Sequence, residues 1–235
     1  MPLLLIVGAG PGNSRAIARH FGGEGYSIAL IGRDAEHLRT EVEHLHSHGV
    51  AAHSYVGDAG DPASIRAVVL AAQAEQGQIS AVVFTAYRND GVSDVLNAEP
   101  EAVAASFDVG VVGLLAAVQA AVADLRSAKG ASILVLNGAA GDDDSGADRF
   151  ATSFGVDGVA LESAAKSKLV GLLAERLRPD GIYVGEIVIN GTIKGSAFAS
   201  PTAIDPSEVA NRLWTMAETR TETRTRISEA ASGEA

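Results

Sequence analysis

The stretch 3-LLLIVGAGPGNSRAIARHF-21 decides how the chain is read. Residues 3–7 are apolar at every position and run without a break into Gly8-Ala9-Gly10-Pro11-Gly12-Asn13-Ser14, after which a helical pattern begins. A short run with no polar face is what a strand looks like when both of its faces are buried, as in a parallel sheet. Glycines between such a strand and a helix let the backbone approach a phosphate, and the free N–H groups of the first helical turn point at it. The expectation is a pyrophosphate-binding turn formed by Gly8, Gly10, Gly12, Asn13 and Ser14, with Asn13 standing where the long G-x-G-x-x-G pattern has its third glycine.

Working outward, the pattern predicts strands at 3–7, 27–31, 51–56, 81–85, 132–136 and 182–188, and helices at 14–21, 34–48, 62–76, 99–127, 156–178 and 206–219. Regular alternation of the two, with right-handed crossovers, predicts an α/β fold: a doubly wound, Rossmann-type parallel sheet with helices on both faces. Asp34 and Asp61 read as helix N-caps, and Pro62 takes a first helical position. Residues 219–227 alternate charged and threonine positions and read as a last edge strand, followed by a frayed tail at 229–235. A length of 235 residues with 47% hydrophobic content suits a single domain, 1–235.

Composition narrows the function classes. A net charge of -11 repels nucleic-acid backbones and anionic membrane surfaces. The absence of cysteine removes disulfides and thiolate metal sites, and a reducing cytoplasm is expected. The apolar segment 109–123 is too short to span a bilayer, so it is expected to be buried against the sheet or in an oligomer contact. Asp142, Asp143, Asp144 and Asp148 lack the spacing of a calcium loop and read as a solvated loop. His44 and His48 sit near a helix C-terminus, where the dipole favours them without any metal.

About 20 residues beyond the turn, the second strand ends in Gly32-Arg33. An acidic residue there would accept from a ribose 2'-OH, whereas a neutral residue followed by arginine suits a 2'-phosphate, whose oxygens match the guanidinium fork. Arg33, helped by Arg15, therefore points to NADP, with NAD as the alternative.

Four segments together resemble the short-chain dehydrogenase/reductase family. Gly8 and Gly12, with Ser14 for the last glycine, match its G-x-x-x-G-x-G turn. Gly57-Asp58-Ala59-Gly60-Asp61 is similar to its adenine-side segment. Phe84-Thr85-Ala86-Tyr87 stands where it has N-N-A-G, and Ile189-Asn190-Gly191-Thr192-Ile193 where it has the P-G-x-V loop beside the nicotinamide. The resemblance implies cofactor contacts at Asp58, Ala86, Gly191 and Ile193, and a homodimer or homotetramer formed through the two long helices. It implies hydride exchange between a nicotinamide and a small molecule, for which the segment 194–206 offers only Lys194 and Asp205 as charged anchors.

The family's catalytic tetrad is missing. Its tyrosine, lysine, serine and asparagine places fall on Val159, Ser163, Gly138 and Gly110, and no tyrosine in the chain has a lysine four residues on. Two substitutes are weighed. Tyr87 follows the fourth strand at the sheet's carboxyl edge, where ligands bind, although it also reads as a wall residue. Lys166 lies three residues past Ser163 on nearly the same helical face, although it also reads as a surface lysine. Three function classes remain open: an NADPH-dependent oxidoreductase with an atypical or weak site, a non-catalytic dinucleotide-binding sensor or partner subunit, and a non-redox lyase or isomerase.

Overall fold

Strand β1 (Leu3–Val7) is buried at every residue because it is hydrogen-bonded on both sides, to β2 (Ser27–Gly32) and to β4 (Ile79–Phe84). With β3 (Ala52–Val56), β5 (Ser132–Gly138), β6 (Tyr183–Asn190) and β7 (Arg224–Ser228) these form one parallel sheet of seven strands in the order β3-β2-β1-β4-β5-β6-β7. The computed structural model describes residues 1–88 and 91–230.

Alternate residues of each strand feed two apolar layers. Leu3, Leu5 and Val7 pack on the side of α3 (Pro62–Gln76), α5 (Leu114–Ser127) and α7 (Asp157–Leu177). Leu4 and Ile6 pack on the side of α1 (Asn13–Gly23), α2 (Ala35–Ser47) and α8 (Pro206–Thr219). The doubly wound architecture expected from the sequence is the one observed.

Three features differ from that expectation. The single helix expected over 99–127 is broken into α4 (Pro100–Ala105), a widened π turn at Asp108–Gly113, and α5. Two glycines account for the widening: a Cβ on Gly113 would lie 2.1 Å from the Ala59 carbonyl oxygen, and one on Gly110 would lie 2.0 Å from Glu162 Oε1. These close approaches hold the backbone in a turn that an ordinary helix would not make. The run Pro100–Ser127 is longer than the apolar segment read from the sequence, and is long and apolar enough to cross a membrane by length and composition alone. Here Leu114, Ala117, Ala121 and Leu125 bury one face of α5 against the sheet, as a core helix does.

The acidic run is a bend at 142–144 with Asp143 and Asp144 exposed, as expected, but it leads into a helix that the sequence reading does not place, α6 (Ser145–Phe154), which carries Asp148. Asp144 Oδ1 accepts from the N–H groups of Gly146 and Ala147 at 2.7 and 3.0 Å, and Asp142 pairs with Arg224 and Arg226 of β7. The tail is not frayed at its start either. The Glu229 carboxylate accepts from the backbone N–H and the hydroxyl of Thr192, while 231–235 lie outside the described residues.

Candidate active site

The glycine turn is shaped by what it touches. Gly8 has φ +101, and a Cβ there would meet the Ala86 backbone nitrogen at 2.5 Å, so both its conformation and its surroundings demand glycine. The Ser14 hydroxyl donates to the Gly8 carbonyl at 2.8 Å and lies 3.0 Å from the Thr85 hydroxyl, tying α1 to the ends of β1 and β4. Ser14 is buried, and its hydroxyl is taken up by these contacts within the protein. Gly12, the N-cap of α1, gives that helix no side-chain acceptor. The Arg15 N–H donates to the Gly10 carbonyl at 3.2 Å, and the N–H groups of Asn13 and Ser14 are left to an anion, which the helix dipole also favours. Asn13 Oδ1 is buried without a hydrogen-bond partner, and the position of a Cβ on Gly10 is open on all sides.

Beside this turn, where β1 parts its neighbours to β2 and β4, lies a cavity of about 260 Å³. This is the switch point at which doubly wound sheets bind ligands. Gly8, Arg33, Asp58, Ala86, Tyr87 and Arg88 are among the residues lining it. Arg33 is exposed and forms no ion pair among the described residues. Asp34 caps α2 by accepting from the His37 N–H at 2.9 Å, and that bond holds its carboxyl below the usual range. Asp58 accepts from the Gly60 N–H at 2.9 Å through one oxygen. On the opposite side Gly191, at φ +144, carries the loop whose Ile193 lies 4.0 Å from the Cβ position of Gly12. Glu229 grips this loop at Thr192, and those bonds hold its carboxyl below the usual range.

Two of the expected residues are placed otherwise. Arg15 does not reach this cavity's phosphate end: its guanidinium is held by Glu41 in a two-pronged ion pair, at 2.7 Å for each contact. That geometry is the strong form of the arginine–carboxylate bond and leaves the fork filled. Tyr87 is 58% exposed and forms part of the wall of the first cavity with Arg33 and Asp58, and it is not among the residues of the second cavity, which Val159 lines.

The other half of the site is built on α7. A second cavity of about 220 Å³ is lined by Arg88, Val92, Ser93, Ser106, Val156 and Val159, among others. Ser163 is buried, with its hydroxyl 3.7 Å from the Cβ position of Gly138. Lys166 is not a surface lysine: it is 2% exposed, and burial pushes its ammonium pKa down against the opposing pull of Glu162 and Glu186. Glu162, 1% exposed, accepts from the Arg88 N–H at 3.1 Å through Oε2, while Oε1 is buried with no hydrogen-bond partner. Burial pushes the Glu162 carboxyl up, opposed by Lys166, Arg88 and the Gly110 amide. Glu186 is better provided for, accepting from Asn137 Nδ2 and the Ser167 hydroxyl at 2.7 Å each and lying 3.3 Å from Arg224 Nε. Glu162 is the residue that sequence reasoning misses. Its one signal is the spacing Glu-x-x-x-Lys, which on a helix usually marks an exposed ion pair.

The family profile described as short chain dehydrogenase matches residues 2–197. A putative ketoacyl reductase of granaticin polyketide synthesis from Streptomyces violaceoruber is 38% identical over 90 residues, a match that spans 38% of this chain and 33% of that protein. Among solved structures, an NADPH-bound short chain oxidoreductase from Pseudomonas aeruginosa, described as containing an atypical catalytic center, has a TM-score of 0.84 at 20% identity, covering 100% of this chain and 98% of that one. An alcohol dehydrogenase from the archaeon Thermococcus sibiricus, complexed with 5-hydroxy-NADP, has a TM-score of 0.83 at 19% identity, covering 98% and 97%.

Proposed function

The chain belongs to the short-chain dehydrogenase family, and on that premise we propose that it is an NADPH-dependent oxidoreductase acting on the carbonyl or alcohol group of a small molecule, with proton handling unlike that of its relatives. One observation carries the cofactor reading: an arginine without an ion-pair partner among the described residues, Arg33, lines the same cavity as the glycine turn. A dinucleotide fits these residues. The uncapped start of α1 would receive its pyrophosphate, Arg33 a 2'-phosphate and Asp58 the adenine amine, with Gly191 and Ile193 beside the nicotinamide. When bound, the cofactor supplies or accepts a hydride.

A second reading, a dinucleotide-binding sensor or partner subunit, is favoured by the absence of any phenol or ammonium at Val159 and Ser163. We further propose that the protein works in the cytoplasm as a homodimer or homotetramer. Leu161 and Leu172 of α7 are partly exposed, and so is Val112 of the π turn, which supports that assembly.

Titration of the protein with NADPH and NADH, followed by NADPH oxidation against a panel of carbonyl compounds, separates the readings. NADPH is expected to bind at least about tenfold more tightly than NADH, from one charge-assisted contact to the 2'-phosphate. Equal affinities would remove the NADP assignment. Tight binding without turnover on any carbonyl would favour the sensor.

A further inference from the structure

We propose that Glu162 and Lys166 are the acid–base pair that holds and delivers the reaction's proton, in place of the tyrosine and lysine this chain lacks; the inference rests on the oxidoreductase reading above. The pair repeats the lost four-residue spacing on the same helix, displaced three residues toward its C-terminus. Side chains on a helix lean toward its N-terminus, so Lys166 leans back toward the level of Glu162 and Ser163.

Glu162 in turn occupies the space of another missing group. Its carboxyl lies over Gly110, 2.0 Å from where a Cβ would be, and Gly110 is the position at which the family carries its asparagine. A glycine at 110 thus leaves the room that the Glu162 carboxyl fills. Glu162 lies behind the cavity walls, next to residues that line them. Arg88, whose N–H binds Oε2, lines both cavities, and Val159, one turn earlier on α7, lines the second.

The bonding pattern suits a group that carries a proton. Oε1 lies buried over Gly110 without a hydrogen bond of good geometry, so burial favours the protonated acid while the Gly110 and Arg88 amides favour the anion, and the group is balanced between the two forms. A merely structural ion pair would be expected to close into contact, yet Lys166 makes no ion pair within 4.0 Å among the described residues. Glu162 is faced by Lys166 from its own helix, by Arg88 from the segment after β4 and by the Gly110 amide from the π turn. Lys166 is faced by Glu162 and by Glu186 of β6.

In the reducing direction a bound cofactor would supply a hydride to the carbonyl carbon, and the C=O π pair would become a lone pair on oxygen. That oxygen would take up the proton held by Glu162. The carboxylate left behind is offset by protonated Lys166 until a solvent proton restores the acid. In the oxidising direction the same carboxylate recovers the alcohol's proton.

The test has two arms, each on the full chain. In the first, calorimetry in buffers of different ionisation enthalpy counts the protons exchanged on binding NADP⁺ and NADPH. The oxidised ring carries a positive charge that the reduced ring lacks, so it should draw a proton off a nearby acid. Wild-type protein is expected to release more protons with NADP⁺ than with NADPH, and Glu162→Gln is expected to abolish the difference. In the second arm, NADPH oxidation by the carbonyl panel is followed across about pH 5 to 9, a range that brackets a general acid tuned toward neutrality. The wild-type rate is expected to fall as Glu162 loses its proton. Glu162→Gln should be about 10²-fold slower or worse, with its NADPH Kd within about threefold of wild type. A wild type that turns over with a flat pH profile and equal proton release for the two cofactors overturns the pair without any variant, and leaves the oxidoreductase reading standing. So does a Glu162→Gln protein that keeps the wild-type rate. A wild type that binds NADPH and reduces no carbonyl overturns the oxidoreductase reading, and the pair's role with it.

Discussion

Arg33 and Gly110 mark the two ends of the candidate site, and each supports a prediction at the level of a single side chain. Arg33→Ala should weaken NADPH by roughly ten- to a hundredfold, the scale of a lost charge-assisted bond, and leave NADH nearly unchanged. Parallel titrations check this, and a loss shared equally by both cofactors would rule out the 2'-phosphate contact. Gly110→Ala forces a methyl group into the Glu162 carboxyl, and overpacking of this kind should cost about 1 to 3 kcal/mol in a denaturant melt. Paired with Glu162→Ala, which empties that space, the same change should cost distinctly less than the sum of the two single variants. Strict additivity would mean that the two positions do not touch. The placing of Gly8, Arg33 and Asp58 around one cavity is legible in the sequence because turn glycines and residues at strand ends are positioned by local geometry. Glu162 is not, because its meaning comes from a glycine 52 positions earlier that only folding brings against it. Arg15 misleads for a related reason: Glu41, its partner, arrives from the next helix.

Helix starts explain much of how the elements hold their places. Asp34, Asp144 and Asp205 cap α2, α6 and α8 with hydrogen bonds that depress their carboxyls below 3.8. A group whose folded value is depressed contributes its stability fully above its unfolded value and loses it as pH falls through the folded one. Melting temperature should therefore fall with acid below about pH 4. Replacing the three with asparagine keeps the caps and removes the titration, so the acid limb should flatten. An unchanged acid limb would assign the acid sensitivity to other carboxylates. The strands and most helices were legible because their apolar periods follow directly from the sheet's two buried faces. The break at Asp108–Gly113 and the helix Ser145–Phe154 were not. The first is hidden in an unbroken apolar run whose glycines answer to Ala59 and Glu162. The second begins in aspartates that read equally well as a loop, until Asp144 is seen to bind two backbone N–H groups.

At the scale of the whole molecule, cofactor and stability are linked. A ligand that binds only the folded chain, present at about 100 times its Kd, should add roughly 2.7 kcal/mol, so the melting temperature should rise with NADPH more than with equal NADH. Equal shifts would contradict the cofactor preference at the global level, independently of Arg33. The sheet order also sets a sequence of events. Strands β1 to β4 and the glycine turn draw only on the first half of the chain, whereas the loop at Gly191-Thr192-Ile193 is pinned by Glu229, beyond the last strand. On the ribosome, the half of the pocket proposed to receive adenine would be complete while the rest is still being made. The half proposed to face the nicotinamide would be complete only once β7 has emerged and Glu229 has reached Thr192. A nascent chain halted just before that strand should hold adenine nucleotides and still have no finished place for the reacting ring.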